Sequence, residues 1–388
     1  MFYVQHGFGK SSKIDDCVAR GEIGGVILSP AHEDVATLAA TVNSCQRLGL
    51  RVLLDPQSYV YATTPPGQMR FHDRHGLDFS AMHWAMSPSE LVAAVDAVGE
   101  ANDAARVAPP WICPAPFNRS LTDYWMPSGI QFIRTALERW SGEGVIATLA
   151  FDESVLADWD RVSEWLDVLT TLDVAGYYMV VSRRAPVYPP VAWDPSALAN
   201  LMRMVHVLAE VNEYEVIWGY ADVDGLLGIA AGASAVASGW SYGLRQFNIE
   251  RYSEKRGGGA PAVPRVYLPS LLSDIRFNEA EDIFRSAPGG EELFPHALRK
   301  TYASRSFASL GNPEAQTQHL ADLSIDVSSI AQFSDLEDRL DALSERIETA
   351  VLNFSQLAAS GLSLEPRYLG RLVAYREAIR LFRDGVIL

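Results

Sequence analysis

Val145-Ile146-Ala147-Thr148-Leu149-Ala150-Phe151 is apolar at every position but Thr148 and stops on Asp152-Glu153. Such a run does not alternate between apolar and polar side chains, so both of its faces are buried, as in a strand inside a parallel sheet. The same kind of run recurs on either side of it. Phe2–His6, Gly25–Ser29, Arg51–Asp55 and Trp111–Pro114 come before, and Gly176–Ser182, Glu215–Gly219 and Ala235–Ser238 come after. The stretches between are longer and amphipathic. Ser87-Pro88-Ser89-Glu90 sets Pro just inside a helix whose Leu91, Val92, Val95 and Val98 follow the 3.6-residue period. Asp194-Pro195-Ser196 opens another, with Leu198, Leu201, Val205 and Leu208 on one face. Gly49 and Gly232 stand where helices must stop before the next strand. Eight strand–helix units before residue 290 predict an α/β fold of the (β/α)8, TIM-like barrel type. An open doubly wound sheet is disfavoured, since neither GxGxxG nor GxxxxGK[ST] follows any of these runs.

After about residue 296 the pattern becomes wholly helical. Leu336, Leu340, Leu343, Ile347, Val351, Phe354 and Leu357 recur at spacings of three and four, and Tyr368, Leu372, Tyr375, Ile379 and Leu381 follow. The expected organisation is a barrel over residues 1–295 and a helical C-terminal extension over 296–388. That extension either packs on the barrel or carries association, with a second copy or with a protein partner. The 388 residues are 48% hydrophobic and 21% charged, which excludes disorder as the dominant state. A formal charge of −16, from 48 acidic and 32 basic side chains, opposes indiscriminate coating of nucleic acid and leaves only a local basic groove. Cys17, Cys45 and Cys113 are odd in number and far apart, so neither a disulfide framework nor a cysteine zinc site is indicated, and reduced thiols point to the cytoplasm. The first residues, Met1 to Gly7, lack the basic start and apolar segment of a signal peptide, and no run nears the ~18 apolar residues that would suggest a membrane span.

In a barrel, side chains at the C-terminal ends of the strands converge on the site. Those positions hold Gln5 and His6, Ser29, Asp55 with Gln57 and Tyr59, Cys113, Asp152 with Glu153, Ser182 with Arg183 and Arg184, Tyr220 with Asp222, and Ser238 with Trp240. Asp55 and Asp152 terminate their runs, and a carboxylate there needs a polar pocket or a cation because burying it alone is costly. Opposed carboxylates suit acid–base work or stabilisation of an oxocarbenium ion, which makes Asp55 and Asp152 the candidate catalytic pair. The structural alternative is an ion pair with Arg183, Arg184 or Arg245 that closes the mouth. Tyr59, Tyr61, Tyr220, Trp240 and Tyr242 offer faces for stacking on a base or sugar ring, or simply fill the barrel top. Gln57, Tyr59, Glu153, Arg183, Tyr220, Asp222, Trp240 and Arg245 are the candidate substrate-binding residues. No GxSxG elbow supports acyl transfer.

Two long loops, 59–86 and 240–267, follow the third and eighth runs, and long loops in compact domains are often functional. The first carries His72, Asp73, His75, Asp78 and His83; His72-x-x-His75 is a spacing that solvated loop histidines also give, and no metal or cofactor is expected. In the second, Arg245, Arg251, Lys255, Arg256 and Arg265 surround Gly257-Gly258-Gly259, as would suit a phosphate group or a nucleic-acid strand. Glu250 and Glu254 interleave them, as in a solvated loop.

Ala150-Phe151-Asp152-Glu153 resembles the strand-five Ala-Phe-Asp-Glu of the tRNA-guanine transglycosylase superfamily of barrels. Val216-Ile-Trp-Gly-Tyr-Ala-Asp-Val-Asp-Gly-Leu-Leu-Gly-Ile-Ala-Ala-Gly232 is similar to that family's strand-seven glycine turn and following helix, and Asp55 falls on its strand-three aspartate. The resemblance covers residues 50–245. It implies a barrel that acts on or binds a purine-like base, nucleoside or nucleic-acid ligand at its C-terminal rim, with Asp152 reading the heterocycle and Asp55 as acid–base or nucleophile. The chain departs from the family where Ala237 stands at the strand-eight nucleophilic aspartate, where Val180-Val181-Ser182 replaces a Gly-Gly-Leu loop, and where the zinc ligands are missing. Those departures support a second expectation, a barrel without catalysis that serves as a binding or assembly module. A glycosidase-like enzyme using the same carboxylates is a third.

Overall fold

A computed structural model of the chain describes residues 1–64, 69–80, 86–121, 125–253 and 263–386. Each expected run is a strand: β1 (Phe2–Gln5), β2 (Ile23–Leu28), β3 (Arg51–Leu54), β4 (Trp111–Ile112), β6 (Val145–Asp152), β7 (Gly176–Ser182), β8 (Glu215–Gly219) and β9 (Ala235–Ser238). The fourth run is broken, and a short β5 (Phe117–Asn118) continues it along β6. All of these strands pair in parallel in the order β3-β2-β1-β9-β8-β7-β6-β4, with helices between them. The result is a nearly closed TIM-like barrel.

β3 and β4 are neighbours, yet no backbone ladder joins them among the described residues. Just above this seam the Ser58 hydroxyl laces the two sides, donating to the Ala115 carbonyl at 2.9 Å and accepting from the Ala115 amide at 2.8 Å. Both groups are buried, so Ser58→Ala leaves an amide and a carbonyl without partners. The expected loss is ~1–3 kcal/mol, read as a lower urea midpoint at unchanged slope.

The bore is filled in layers. At the N-terminal end Arg51 and Glu215 form a two-point ion pair across the barrel, with Arg51 also reaching the Tyr3 hydroxyl at 3.3 Å. Above it lies Tyr178, which fits because Gly219 has no Cβ; one there would stand 2.6 Å from the Tyr178 hydroxyl. Outside, Ser87 and Glu90 form a reciprocal cap on Pro88–Ala105, and Asp194 caps Pro195–His206 through the amides of Ser196 and Ala197.

The helices beyond residue 296 pack on the barrel. Asn312–Ala331 lies against Lys13–Val18 and Gly225–Ala230, the helices after β1 and β8, and so completes the ring at the eighth strand. Leu336–Ala359 and Pro366–Val386 pair with each other, and the latter lies along Pro195–His206. Their apolar stripes, including Leu340, Ile347, Phe354, Tyr368 and Tyr375, are buried. An antiparallel hairpin, β10 (Arg265–Leu268) and β11 (Ser273–Arg276), packs on Asn312–Ala331. Among the described residues no helix is long and apolar enough to cross a membrane.

Candidate functional site

Because the strands are parallel, Asp55, Asp152 and Asp222 lie at the same end of the barrel. They do not share an environment. Asp55 follows β3 into the centre of the bore and is fully buried. Its Oδ1 accepts the Gln57 amide at 2.9 Å, and its Oδ2 accepts the hydroxyls of Tyr59 at 2.7 Å and Tyr178 at 3.1 Å. No cation reaches it among the described residues, so the ion pair with Arg183, Arg184 or Arg245 does not form. Burial raises its pKa to about 6, even though the three donors favour the charged form.

The neighbouring polar groups hold this carboxylate in place. Gln57 accepts from Ser29 at 2.7 Å and donates to the Tyr220 hydroxyl at 2.6 Å. Gln57, Tyr220 and Asp222 all adopt left-handed backbone angles, with φ of 49°, 57° and 46°. A side chain in that region costs roughly 1–2 kcal/mol, and such residues gather at functional sites.

A segment after β9 covers the mouth. Phe247 is fully enclosed, with ring centroids 5.3 Å from Tyr59, 5.4 Å from Tyr220 and 5.9 Å from Tyr252. Its carbonyl accepts the Arg183 amide at 3.0 Å, Gln246 donates to the Ala185 carbonyl at 2.8 Å, and the Ile249 amide donates to Ser182 at 3.1 Å. Phe247 therefore stoppers the bore while its flanks are tied to the end of β7. Sequence reading missed it, along with Tyr178; the only signals were an aromatic in the loop and a tyrosine facing inward on a strand.

Asp152 stands outside this chamber and is half-buried. Its Oδ1 accepts the Ser154 amide at 3.0 Å and hydroxyl at 2.6 Å, which caps the turn Glu153–Ala157. Asp55 and Asp152 have no hydrogen-bond partner in common. Beside Asp152 opens a cleft of about 410 Å³ lined by Glu153, Arg183, Arg184, Trp193, Asp194 and Gln246, among others. Arg183 bridges Glu153 at 2.6 Å and Asp224 at 3.1 Å, and its guanidinium lies 3.7 Å from the Trp193 ring centroid. Asp224 also receives Trp193, Arg371 and Tyr375, the last two from the final helix. Glu153 and Arg183 thus line the cleft as one closed charge network, while the Arg184 side chain remains 75% exposed.

Asp222 belongs to a second buried network. His319 Nε2 lies 2.8 Å from its Oδ1, Tyr188 donates to its Oδ2 at 2.8 Å, and Ser238 reaches it at 3.3 Å. On the other side of the imidazole, Nδ1 lies 3.4 Å from Asp274, which Arg245 holds at 2.5 Å. Burial opposes charge on both carboxyls, but His319 and Arg245 outweigh it and hold Asp222 and Asp274 below the usual carboxylate range. His319 is pushed up: burial and Arg245 oppose its proton, and the two aspartates overcome them. His319, Asp274, Asp224 and Arg371 were not expected as rim residues, since each meets the rim only through the folded chain.

Trp240 donates to the Phe8 carbonyl at 2.7 Å and sits edge-on to His6. His72 is buried against Tyr61, its pKa lowered to about 3 by burial, whereas His75 turns to the Glu33 carbonyl at 2.8 Å. Among the described residues no three His, Cys, Asp or Glu side chains are placed to share a metal ion. His83, Glu254, Lys255, Arg256 and Gly257 to Gly259 lie outside the described residues. All three cysteines are buried and unpaired, with the Cys17 thiol pushed up to about 12 mainly by burial.

No protein-family model matches this sequence, and no curated protein matches it. Among solved structures, a probable tagatose 6 phosphate kinase from Sinorhizobium meliloti 1021 aligns over 99% of each chain, with 11% identity and a TM-score of 0.30. A likeness that low bears on neither fold nor function.

Proposed function

We propose that this barrel acts on a purine-like base, as the free base, a nucleoside or part of a nucleic acid, at its C-terminal rim. Asp55 moves the proton and Asp152 reads the heterocycle. The observation that carries the reading is Asp55 itself: a carboxyl enclosed in the bore without a cation, ringed by hydroxyls and an amide, with a pKa of about 6. A group with that value can give and take a proton near neutral pH, and a structural carboxylate would sit more cheaply in an ion pair. The aromatic rings of Tyr59, Tyr220 and Phe247 enclose the Asp55 chamber in apolar surface. Asp55 takes the proton role because its own surroundings raise its pKa, whereas Asp152 is only half-buried and its neighbours Glu153 and Ser154 line the open cleft.

One observation favours a second reading, a binding module without chemistry. Phe247 seals the bore, and Glu153, Asp222 and Asp224 are each spent on internal cations. Calorimetry with guanine, 7-deazaguanines and nucleosides, on wild type and Asp152→Asn, separates the two. Asn retains the oxygen that caps Ser154 and replaces the other acceptor with a donor. The base-reading role predicts a loss of ~1.5–3 kcal/mol, roughly ten- to a hundred-fold in affinity, at unchanged stability. Failure of the wild type to bind any of these compounds sinks the purine reading and leaves the module.

A further inference from the structure

Between the end of β9 and the start of Asn312–Ala331 lies a small cleft of about 80 Å³ that shares Arg245 and Asp274 with the second network. Arg245, Arg265 and Asp274 form its floor, Trp240 and Tyr242 one side, and Asn312, Ala315 and Gln316, the first turn of the helix, the other. Arg265 is 6% exposed and, among the described residues, has no carboxylate partner. It donates instead to the Asp274 carbonyl at 2.9 Å, the Tyr368 hydroxyl at 2.7 Å and the Tyr188 carbonyl at 3.3 Å, while its buried Nε finds no acceptor. A buried guanidinium that lacks an anion is costly. Asp222 and Asp274 are engaged by His319 and Arg245, and neither carboxylate lies within ion-pair distance of Arg265 among the described residues.

Both guanidiniums are held against one aromatic stack. Tyr188 and Tyr242 lie parallel with centroids 4.2 Å apart, and the Arg245 and Arg265 guanidinium carbons stand 5.7 and 5.5 Å from the Tyr188 centroid. The helix that forms the opposite wall runs for 20 residues, and its N-cap, Gly311, offers no side chain to its first amides. Its first turn holds Pro313, which has no amide hydrogen, and Glu314, so the helix end adds only a weak field and the arginines carry the site.

We propose that this cleft binds a phosphoryl group, the terminal phosphate of a small phosphorylated ligand, between Arg265, Arg245 and the first turn of Asn312–Ala331. The orphaned Arg265 Nε, on a guanidinium whose other bonds go to two carbonyls and a hydroxyl, calls for an oxyanion. The volume admits one tetrahedral group in place of several waters at roughly 10–15 Å³ each. A terminal phosphate fits better than an internal phosphodiester, which must continue on both sides past Trp240, Tyr242 and Pro264. This site does not depend on the purine reading and stands if Asp55 does no chemistry.

Calorimetry on the full chain with inorganic phosphate, glycerol 3-phosphate and an oligonucleotide without terminal phosphates tests it. Two variants accompany the wild type: Arg265→Lys, and Gln316→Glu, which sets a carboxylate on the cleft wall from a half-buried position with no hydrogen bond to lose among the described residues. Wild type is expected to bind phosphate and the monoester, Gln316→Glu to weaken both at least tenfold without lowering the phosphate-free melting temperature, and Arg265→Lys to weaken them as much. The proposal is overturned if wild type binds neither at millimolar concentrations, or if Gln316→Glu changes affinity less than twofold. It is also overturned if only the oligonucleotide binds and Gln316→Glu abolishes that binding, since the cleft would then serve a nucleic-acid backbone.

Discussion

Asp55→Asn is expected to reduce turnover ~10²–10⁴-fold, the usual worth of a positioned acid or base, and at the same time to stabilise the fold above pH 6. The two effects have one cause. Burial lifts the Asp55 pKa from 3.8 to about 6, so the folded protein holds a proton that the unfolded chain has released over this interval. Stability is therefore full below about pH 4 and is lost as pH rises through 6. A shift of about two units corresponds to ~3 kcal/mol of cost at pH 8. Asparagine avoids that cost. Its oxygen still accepts the Gln57 amide, and its NH₂ can donate to the Tyr59 and Tyr178 hydroxyls, which reverse their roles. Urea unfolding at pH 4, 6 and 8 should show the variant gaining on wild type as pH rises, the two converging at the acid end. Turnover is read on whichever base or nucleoside calorimetry identifies. A variant less stable than wild type at pH 8 would make Asp55 a structural residue and remove the acid–base role with it.

Why Asp55 was visible in the sequence and its surroundings were not follows from the range of the interactions. A strand buried on both faces shows itself in seven consecutive residues, so Val145–Phe151 and its counterparts mark the barrel without any knowledge of partners. A carboxylate that ends such a run is equally local, which is how Asp55 and Asp152 stood out. What separates them is not local. Asp152 is followed by Ser154, whose amide and hydroxyl draw it into a cap, whereas Asp55 is enclosed by Tyr178 and by a segment ending nearly 200 residues later at Phe247 and Tyr252. Arg183, Glu153 and Arg245 were found as rim residues, yet their carboxylate and cation partners Asp224, Asp274, His319 and Arg371 come from the β8 turn, the hairpin and the terminal helices. His319 occupies an inward position of Asn312–Ala331, where Gln318, Ser324 and Asp326 are buried as well, so one more polar residue there marks no site.

The burial of this histidine between two aspartates is the basis of the second large effect. His319→Gln is expected to destabilise the protein by ~3–5 kcal/mol, because it removes one of the two cations from a buried set of four charges and leaves Asp222 and Asp274 to share Arg245. The sign of the pH dependence distinguishes this from lost packing. His319 has a raised pKa, so its contribution is complete below pH 6.5 and is lost as pH rises through its folded value. Asp222 and Asp274 have lowered values, so theirs is complete above pH 3.8 and is lost on acidification. Wild type should therefore lose stability on the alkaline side of neutrality more steeply than His319→Gln, and the gap between them should narrow there. Adding Asp222→Asn to His319→Gln removes the stranded charge and should cost less than the two single changes summed. A gap below 1 kcal/mol, or one constant from pH 5 to 9, would mean that the imidazole packs without charge. The consequence for the site is direct: Asp222 anchors the left-handed turn that begins at Tyr220, and Tyr220 holds Gln57, whose amide in turn fixes Asp55. Through that chain a helix starting at residue 312 sets the position of a carboxyl at residue 55, so any catalytic loss in His319→Gln should appear in Asp55's pH profile before it appears in ligand affinity.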